Sequence, residues 1–232
     1  MHLTLKADHA FARDAVHAEI DLKRDLNELV GDPGLFEVRS KASSKEEYLV
    51  RPDKGRRLDS AGADLVRSSC RPGADVQIVL GDGLSATALV RQGPPLARRL
   101  IAECKARNWT VGDLFFVRYA RVGLLNDIGE LLQPTVVVLL IGERPGMATA
   151  ESLSAYLAYR PKSGDTDAKR NLISNIHAAG VPIEAASSRI IALIVQMMQL
   201  QISGVAVKEE LSTGLGYGPA SQALQNPPNA AC

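Results

Sequence analysis

The first residues with chemistry to offer are Glu143 and Arg144, which follow an unbroken apolar run in Val136-Val-Val-Leu-Leu-Ile-Gly-Glu-Arg-Pro-Gly146. A carboxylate accepts hydrogen bonds from amide and hydroxyl groups, and a guanidinium donates them in a fixed fork, so the pair suits a large polar ligand. Two further apolar runs also end in polar segments. Val76 to Leu80 leads into Gly81-Asp-Gly-Leu-Ser85, and Phe115 to Val117 leads into Arg118-Tyr-Ala-Arg-Val122. Common catalytic patterns are missing. Gly81-Asp-Gly-Leu-Ser-Ala86 lacks the third glycine of a dinucleotide fingerprint, and no Walker, HExxH or GxSxG pattern occurs, so Ser85 has little claim to be a nucleophile. His177, in Ser174-Asn-Ile-His-Ala-Ala-Gly180, reads as a hydrogen-bonded histidine at a helix end. By themselves these residues describe a crevice for something polar and no complete catalytic set.

The elements that must position them follow from periodicity. Six apolar residues from Val136 to Ile141, four of them β-branched, read as a strand buried on both faces, with Gly142 opening the turn after it. Val76 to Leu80 and Phe115 to Val117 read the same way. Ligands of open α/β sheets bind beyond strand C-termini, so three such ends are expected to converge on one crevice. Before them, Leu22, Leu26, Leu29 and Val30 mark a helix over Asp21 to Val30, and His9 to Ala18 has near-helical spacing. Leu35 to Ser40 alternates weakly as a strand, and Ser43-Ser44 ahead of Glu46-Glu47 forms a capping box. After them come helices over Ala61 to Ser69, Ser85 to Val90, Pro94 to Arg107, Asp127 to Leu132 and Ala185 to Ile202. Ser152 to Tyr159 reads as a strand or short mixed element, and 160–170 as a polar loop. The alternation predicts an α/β fold with a doubly wound, mostly parallel sheet. The expected divisions are a small helical N-terminal interface region over 1–74, an α/β cofactor-binding domain over 75–207 and a disordered tail over 208–232.

Composition bounds the class. Apolar residues make up 46% of 232, enough for a full core, and aromatics only 4%, so that core is aliphatic. A net charge of +1 argues against an electrostatic nucleic-acid binder. Cys70, Cys104 and Cys232 show no metal-ligand spacing, and their odd number points to a reducing cytoplasm. No apolar run approaches the ~20 residues of a membrane span, and the N-terminus lacks the basic-then-apolar pattern of a secretory signal.

Seven segments then fall in a telling order: Tyr48-Leu-Val-Arg-Pro-Asp-Lys-Gly-Arg-Arg57, Asp82-Gly-Leu-Ser-Ala86, Phe116-Val-Arg-Tyr-Ala-Arg-Val122, Ile128-Gly-Glu-Leu-Leu132, Ile141-Gly-Glu-Arg-Pro-Gly146, Glu151-Ser-Leu-Ser154 and Ile173-Ser-Asn-Ile-His177. Together, over about Arg13 to Val207, they resemble the small (light) subunit of ethanolamine ammonia-lyase. The resemblance implies an adenosylcobalamin-dependent lyase that converts ethanolamine to acetaldehyde and ammonia by a radical mechanism. It also implies a TIM-barrel large subunit as partner, with the corrin between the two, and a higher hetero-oligomer of such pairs. The implied location is the cytoplasm, free or inside a bacterial microcompartment. The cofactor contacts it implies are Val122, Glu143 and Leu172, with no catalytic residue and no metal ligand in this chain. The family often has cysteine where Leu172 stands and glycine where Ala120 stands. The Asp8-His9 context lacks the DxHxxG spacing by which some cobalamin proteins supply a lower axial histidine, so the cofactor is expected to keep its own dimethylbenzimidazole.

Each of these residues has a simpler structural role available to it. Glu143 suits an ion pair with Arg144 or Arg118, Val122 suits plain packing, and Arg51, Lys54, Arg56 and Arg57 suit a solvated face as well as a phosphate or subunit contact. The competing readings for the whole chain are a corrinoid- or nucleotide-binding α/β module without lyase activity, and a structural protein recruited to a microcompartment.

Overall fold

In a computed structural model, which describes residues 18–26, 29, 34–145 and 149–209, the run at 136–141 becomes the middle of a six-stranded sheet. The strands are β1 (Phe36–Arg39), β2 (Val76–Gly81), β3 (Phe115–Arg118), β4 (Val136–Gly142), β5 (Leu153–Tyr159) and β6 (Asn171–Ile176). Every position of β4 is buried. Val136, Val138 and Leu140 join one core with Ile78, Leu80 and Phe116, while Val137, Leu139 and Ile141 join another with Val79, Phe115 and Val117. Successive side chains point to opposite faces, so a strand covered on both sides has to be apolar throughout.

The α/β class holds, but the sheet is mixed. Its order is β1-β3-β2-β4-β5-β6. The pairs β1–β3, β2–β3 and β2–β4 are parallel, and β4–β5 and β5–β6 are antiparallel. A parallel crossover needs about a dozen residues or more, usually with a helix. Among the described residues the short links at 143–152 and 160–170 carry no α-helix, and β5 and β6 return antiparallel where the expectation was a doubly wound, mostly parallel arrangement. β1 lies before residue 75 yet pairs Phe36 with Phe115 in this same sheet.

The helices are α1 (Leu22–Asp25), α2 (Lys45–Val50), α3 (Ser60–Ser69), α4 (Ala86–Ala106), α5 (Leu124–Leu132) and α6 (Ile183–Leu200). The expected helix over Asp21 to Val30 is described only as the single turn α1, capped by Asp21, with Leu26 buried behind it. Residues 27, 28 and 30–33 lie outside the described residues. So do the near-helical spacing expected before Ala18, Gly146 and Cys232, and all of the expected tail but Lys208 and Glu209. Two expected helices, at 85–90 and 94–107, are one continuous α4 with Pro94 and Pro95 inside it. Proline removes two ladder hydrogen bonds. Burial of Leu89, Leu96, Leu100 and Cys104 along one face holds the helix together regardless, as tertiary packing does for most helices. Although the sequence suggested no such element, α6 is long and apolar enough to cross a membrane by length and composition alone. Here its buried face, Ile190, Leu193, Ile194 and Met197, packs into the first core.

Candidate functional site

The C-terminal ends of β2, β3 and β4 open, together with β5 and β6, onto a half-open cavity of about 470 Å³. Val122, Glu143 and Leu172 all line it, although each comes from a different segment. The strand-end convergence expected from the three apolar runs is therefore present: Leu84 follows β2, Arg121 and Val122 follow β3, and Ile141 to Arg144 close β4.

Glu143 is fixed from several directions. Its backbone N–H donates to the Ser152 carbonyl at 3.0 Å. The Ser152 hydroxyl donates to Oε2 at 2.9 Å, and Oε1 accepts both the Ser154 hydroxyl and the Asn175 backbone N–H, the latter at 3.0 Å. A carboxylate has about four lone-pair positions, so three internal donors leave acceptor capacity. The ion-pair role does not apply among the described residues. Arg118 instead makes a forked contact with Glu37 at 2.6 and 2.7 Å and donates to the Ile20 carbonyl, and no ion pair joins Glu143 to Arg144.

Val122 is carried by a turn anchored from below. Arg121 lays its guanidinium 4.1 Å over the Tyr48 ring and donates to the Tyr48 carbonyl at 3.1 Å. The buried Tyr48 hydroxyl donates to the Ala120 carbonyl at 3.0 Å, and burial pushes its phenol well above the ordinary range. The chain passes so close here that a Cβ on Gly55 would lie 2.6 Å from Arg121 Cγ. The left-handed residue of the turn is Tyr119, at φ 59°, so Ala120 needs no glycine-like freedom.

Beneath the turn lies a buried ion pair. Lys45 Nζ is 3.5 Å from Asp82 Oδ1, donates to the Gly83 carbonyl at 3.2 Å, and lies over the rings of Tyr48 and Tyr119. Asp82 is fully buried, and burial raises its carboxyl pKa against the opposing pull of Lys45 and Arg118.

Leu172, on β6 opposite Tyr156, is 45% exposed and offers the cavity an apolar surface. The Tyr156 phenol is pushed up by burial and then by the charge of Glu143. Past Arg121, Val122 and Tyr156 a second cavity of about 590 Å³ continues, with Arg56, Arg57 and Arg170 in its wall. Of the basic segment, Arg51 pairs with Asp53 and Lys54 with Glu47, while Arg56 and Arg57 face this second cavity.

Ser85 is the N-cap of α4, accepting from the Ala88 N–H, and donates to the Ala150 carbonyl. His177 follows a strand rather than ending a helix, and its Nε2 lies 2.7 Å from Asn175 Oδ1. Cys70 and Cys104 are buried free thiols, pushed up by burial to about 12 and about 11.

The donors that hold Glu143 were missed in the sequence. The available signal was Ser152 and Ser154 two apart in a strand, which places both on one face. Asn175 gave no such signal, because it contributes its backbone.

Residues 1–208 match the family described as ethanolamine ammonia-lyase light chain (EutC). The chain is similar to the ethanolamine ammonia-lyase small subunit of Clostridium acetobutylicum, 39% identical over 206 residues, covering 89% of this chain and 83% of that one. It is also similar to the ethanolamine ammonia-lyase small subunit of Rhodopseudomonas palustris strain BisA53, 42% identical over 211 residues, covering 90% and 80%.

Proposed function

The chain belongs to the ethanolamine ammonia-lyase light-chain family, and from that premise we propose that it is the small subunit of an adenosylcobalamin-dependent ethanolamine ammonia-lyase, holding one side of the cofactor in the strand-end crevice. The observation that carries this reading is the meeting of Val122, Glu143 and Leu172 on one cavity. The chemistry of the lining supports it. A corrin presents a broad apolar ring with amide groups around its rim. Val122, Leu84, Ile141 and Leu172 suit the ring, while the Glu143 carboxylate accepts from amide N–H groups and Arg121 and Arg144 donate to amide oxygens.

When bound, adenosylcobalamin would supply the radical chemistry that takes ethanolamine to acetaldehyde and ammonia. This chain's residues bind and orient. Glu143 accepts hydrogen bonds from a fixed position, Val122 and Leu172 give apolar contact, and the Tyr48–Arg121 stack keeps the Val122 turn in place. Leucine at 172 makes any thiol role there impossible. The partner in this reading is a TIM-barrel large subunit that covers the open side of the crevice and carries the substrate. The pairs assemble further, in the cytoplasm or in a microcompartment within it.

The test is ethanolamine deamination with adenosylcobalamin by this chain alone, by its cognate large subunit alone and by the mixture. Activity confined to the mixture is expected. A folded mixed complex that binds corrinoid without deaminating ethanolamine would favour the binding-module reading instead.

A further inference from the structure

β6 is not regular where it passes Glu143. Leu153 pairs with Ile176 and Ala155 with Ile173, so Ser174 and Asn175 together face the single residue Ser154. This is a β-bulge, a device that re-aims a group out of the ladder. Asn175 takes a left-handed backbone, φ 60°. Its N–H points to Glu143 Oε1 at 3.0 Å. Its carbonyl accepts the Val181 N–H at 2.8 Å, and its side-chain Oδ1 faces His177 Nε2 at 2.7 Å. The following turn closes tightly enough that a Cβ on Gly180 would lie 2.4 Å from the Asn175 carbonyl oxygen and 2.7 Å from His177 Nε2. Asparagine is among the few residues other than glycine that tolerate this backbone, and its side-chain bond to His177 holds it there.

We infer that Asn175, locked by His177, is a positioning residue for Glu143, setting the carboxylate through a backbone N–H that the bulge has freed. The inference rests on Glu143 being a cofactor contact. Glycine at 175 keeps the backbone conformation, whereas a β-branched residue strongly disfavours it.

The test uses the complex of this chain with its large subunit, with the dissociation constant of adenosylcobalamin read by equilibrium dialysis. Asn175→Val is expected to weaken binding roughly tenfold, the size of one lost hydrogen bond to a charged group. Asn175→Gly is expected to stay within about threefold of the parent, as the hydrogen bond is kept. In a Glu143→Ala background Asn175→Val should add nothing, which a general structural defect would not reproduce. Equal losses in the Val and Gly variants, or an additive loss in the double variant, would overturn the inference while leaving the function standing. Unchanged binding in Glu143→Ala alone would remove Glu143 from the site and the inference with it. If Asn175→Val does not fold, Asn175→Ala, which disfavours the left-handed backbone more mildly, carries the test with the same double-variant comparison.

Discussion

Glu143 sits just past the end of β4, yet what fixes it comes from two other strands and their flank: hydroxyls at 152, just before β5, and 154, and the N–H of Asn175. Replacing it with alanine should therefore raise the apparent KM for adenosylcobalamin more than that for ethanolamine, and steady-state kinetics of the two-subunit complex would read the difference. Lys45 works at the same scale and for stability. Lys45→Met leaves Asp82 as a fully buried carboxylate with its cation removed, and losing one partner of a buried pair costs about 3–5 kcal/mol. Urea denaturation should show that loss, and Asp82→Asn added to it should restore a good part. Asp82 and Lys45 were not legible as a pair, being 37 positions apart with no shared periodicity. Glu143 was legible, since a polar residue after six apolar ones has to emerge at a strand end.

Helix α2 shows how an element is held by its first residues. Ser44, the N-cap, accepts the Glu47 N–H at 3.2 Å as the expected capping box requires, while Glu47 reaches back one residue further and accepts the Ser43 N–H at 2.8 Å in place of that of Ser44. Its hydrogen bond from Lys54, and then those from Ser43, hold the Glu47 carboxyl down to about 2 from its ordinary 4.5. A lowered carboxylate stabilises the fold fully above its unfolded pKa and loses that contribution as pH falls through its folded one. The stability gap between the parent and Glu47→Gln should therefore be constant above about pH 5 and close between 4.5 and about 2, as thermal melts across that range would record. At the end of β4, a Cβ on Gly142 would meet the Ser85 carbonyl oxygen at 2.0 Å, backbone against backbone. Gly142→Ala is expected to lower stability by about 1–3 kcal/mol, the usual penalty of overpacking. Strands β2 to β4 could be read from their apolar runs. β6 could not, because Asn171, Ser174 and Asn175 break its pattern. Nor could the continuity of α4, because proline's local effect is visible in a sequence and the packing that overrides it is not.

At the scale of the whole molecule, two cores share one sheet. Leu139 and Leu140 are both fully buried, on opposite faces. Each Leu→Ala change is expected to cost about 2–5 kcal/mol, measured by denaturant unfolding. A sheet with one wet face would instead leave one of the two nearly silent. The α/β class and the crevice at the strand ends followed from alternation and run length. The antiparallel half depended on connection lengths that resemble ordinary loops until the strands on either side are known.

The bulge in β6 has a meaning for the chain apart from its ligand. β6 is an edge strand, and a flat edge with free N–H and C=O groups is a template for another chain to pair with. By turning one residue out of line just where the edge would be straight, Ser174 and Asn175 spoil that template. The feature that aims a donor at Glu143 thus also makes this edge a poor template for a second copy of the chain.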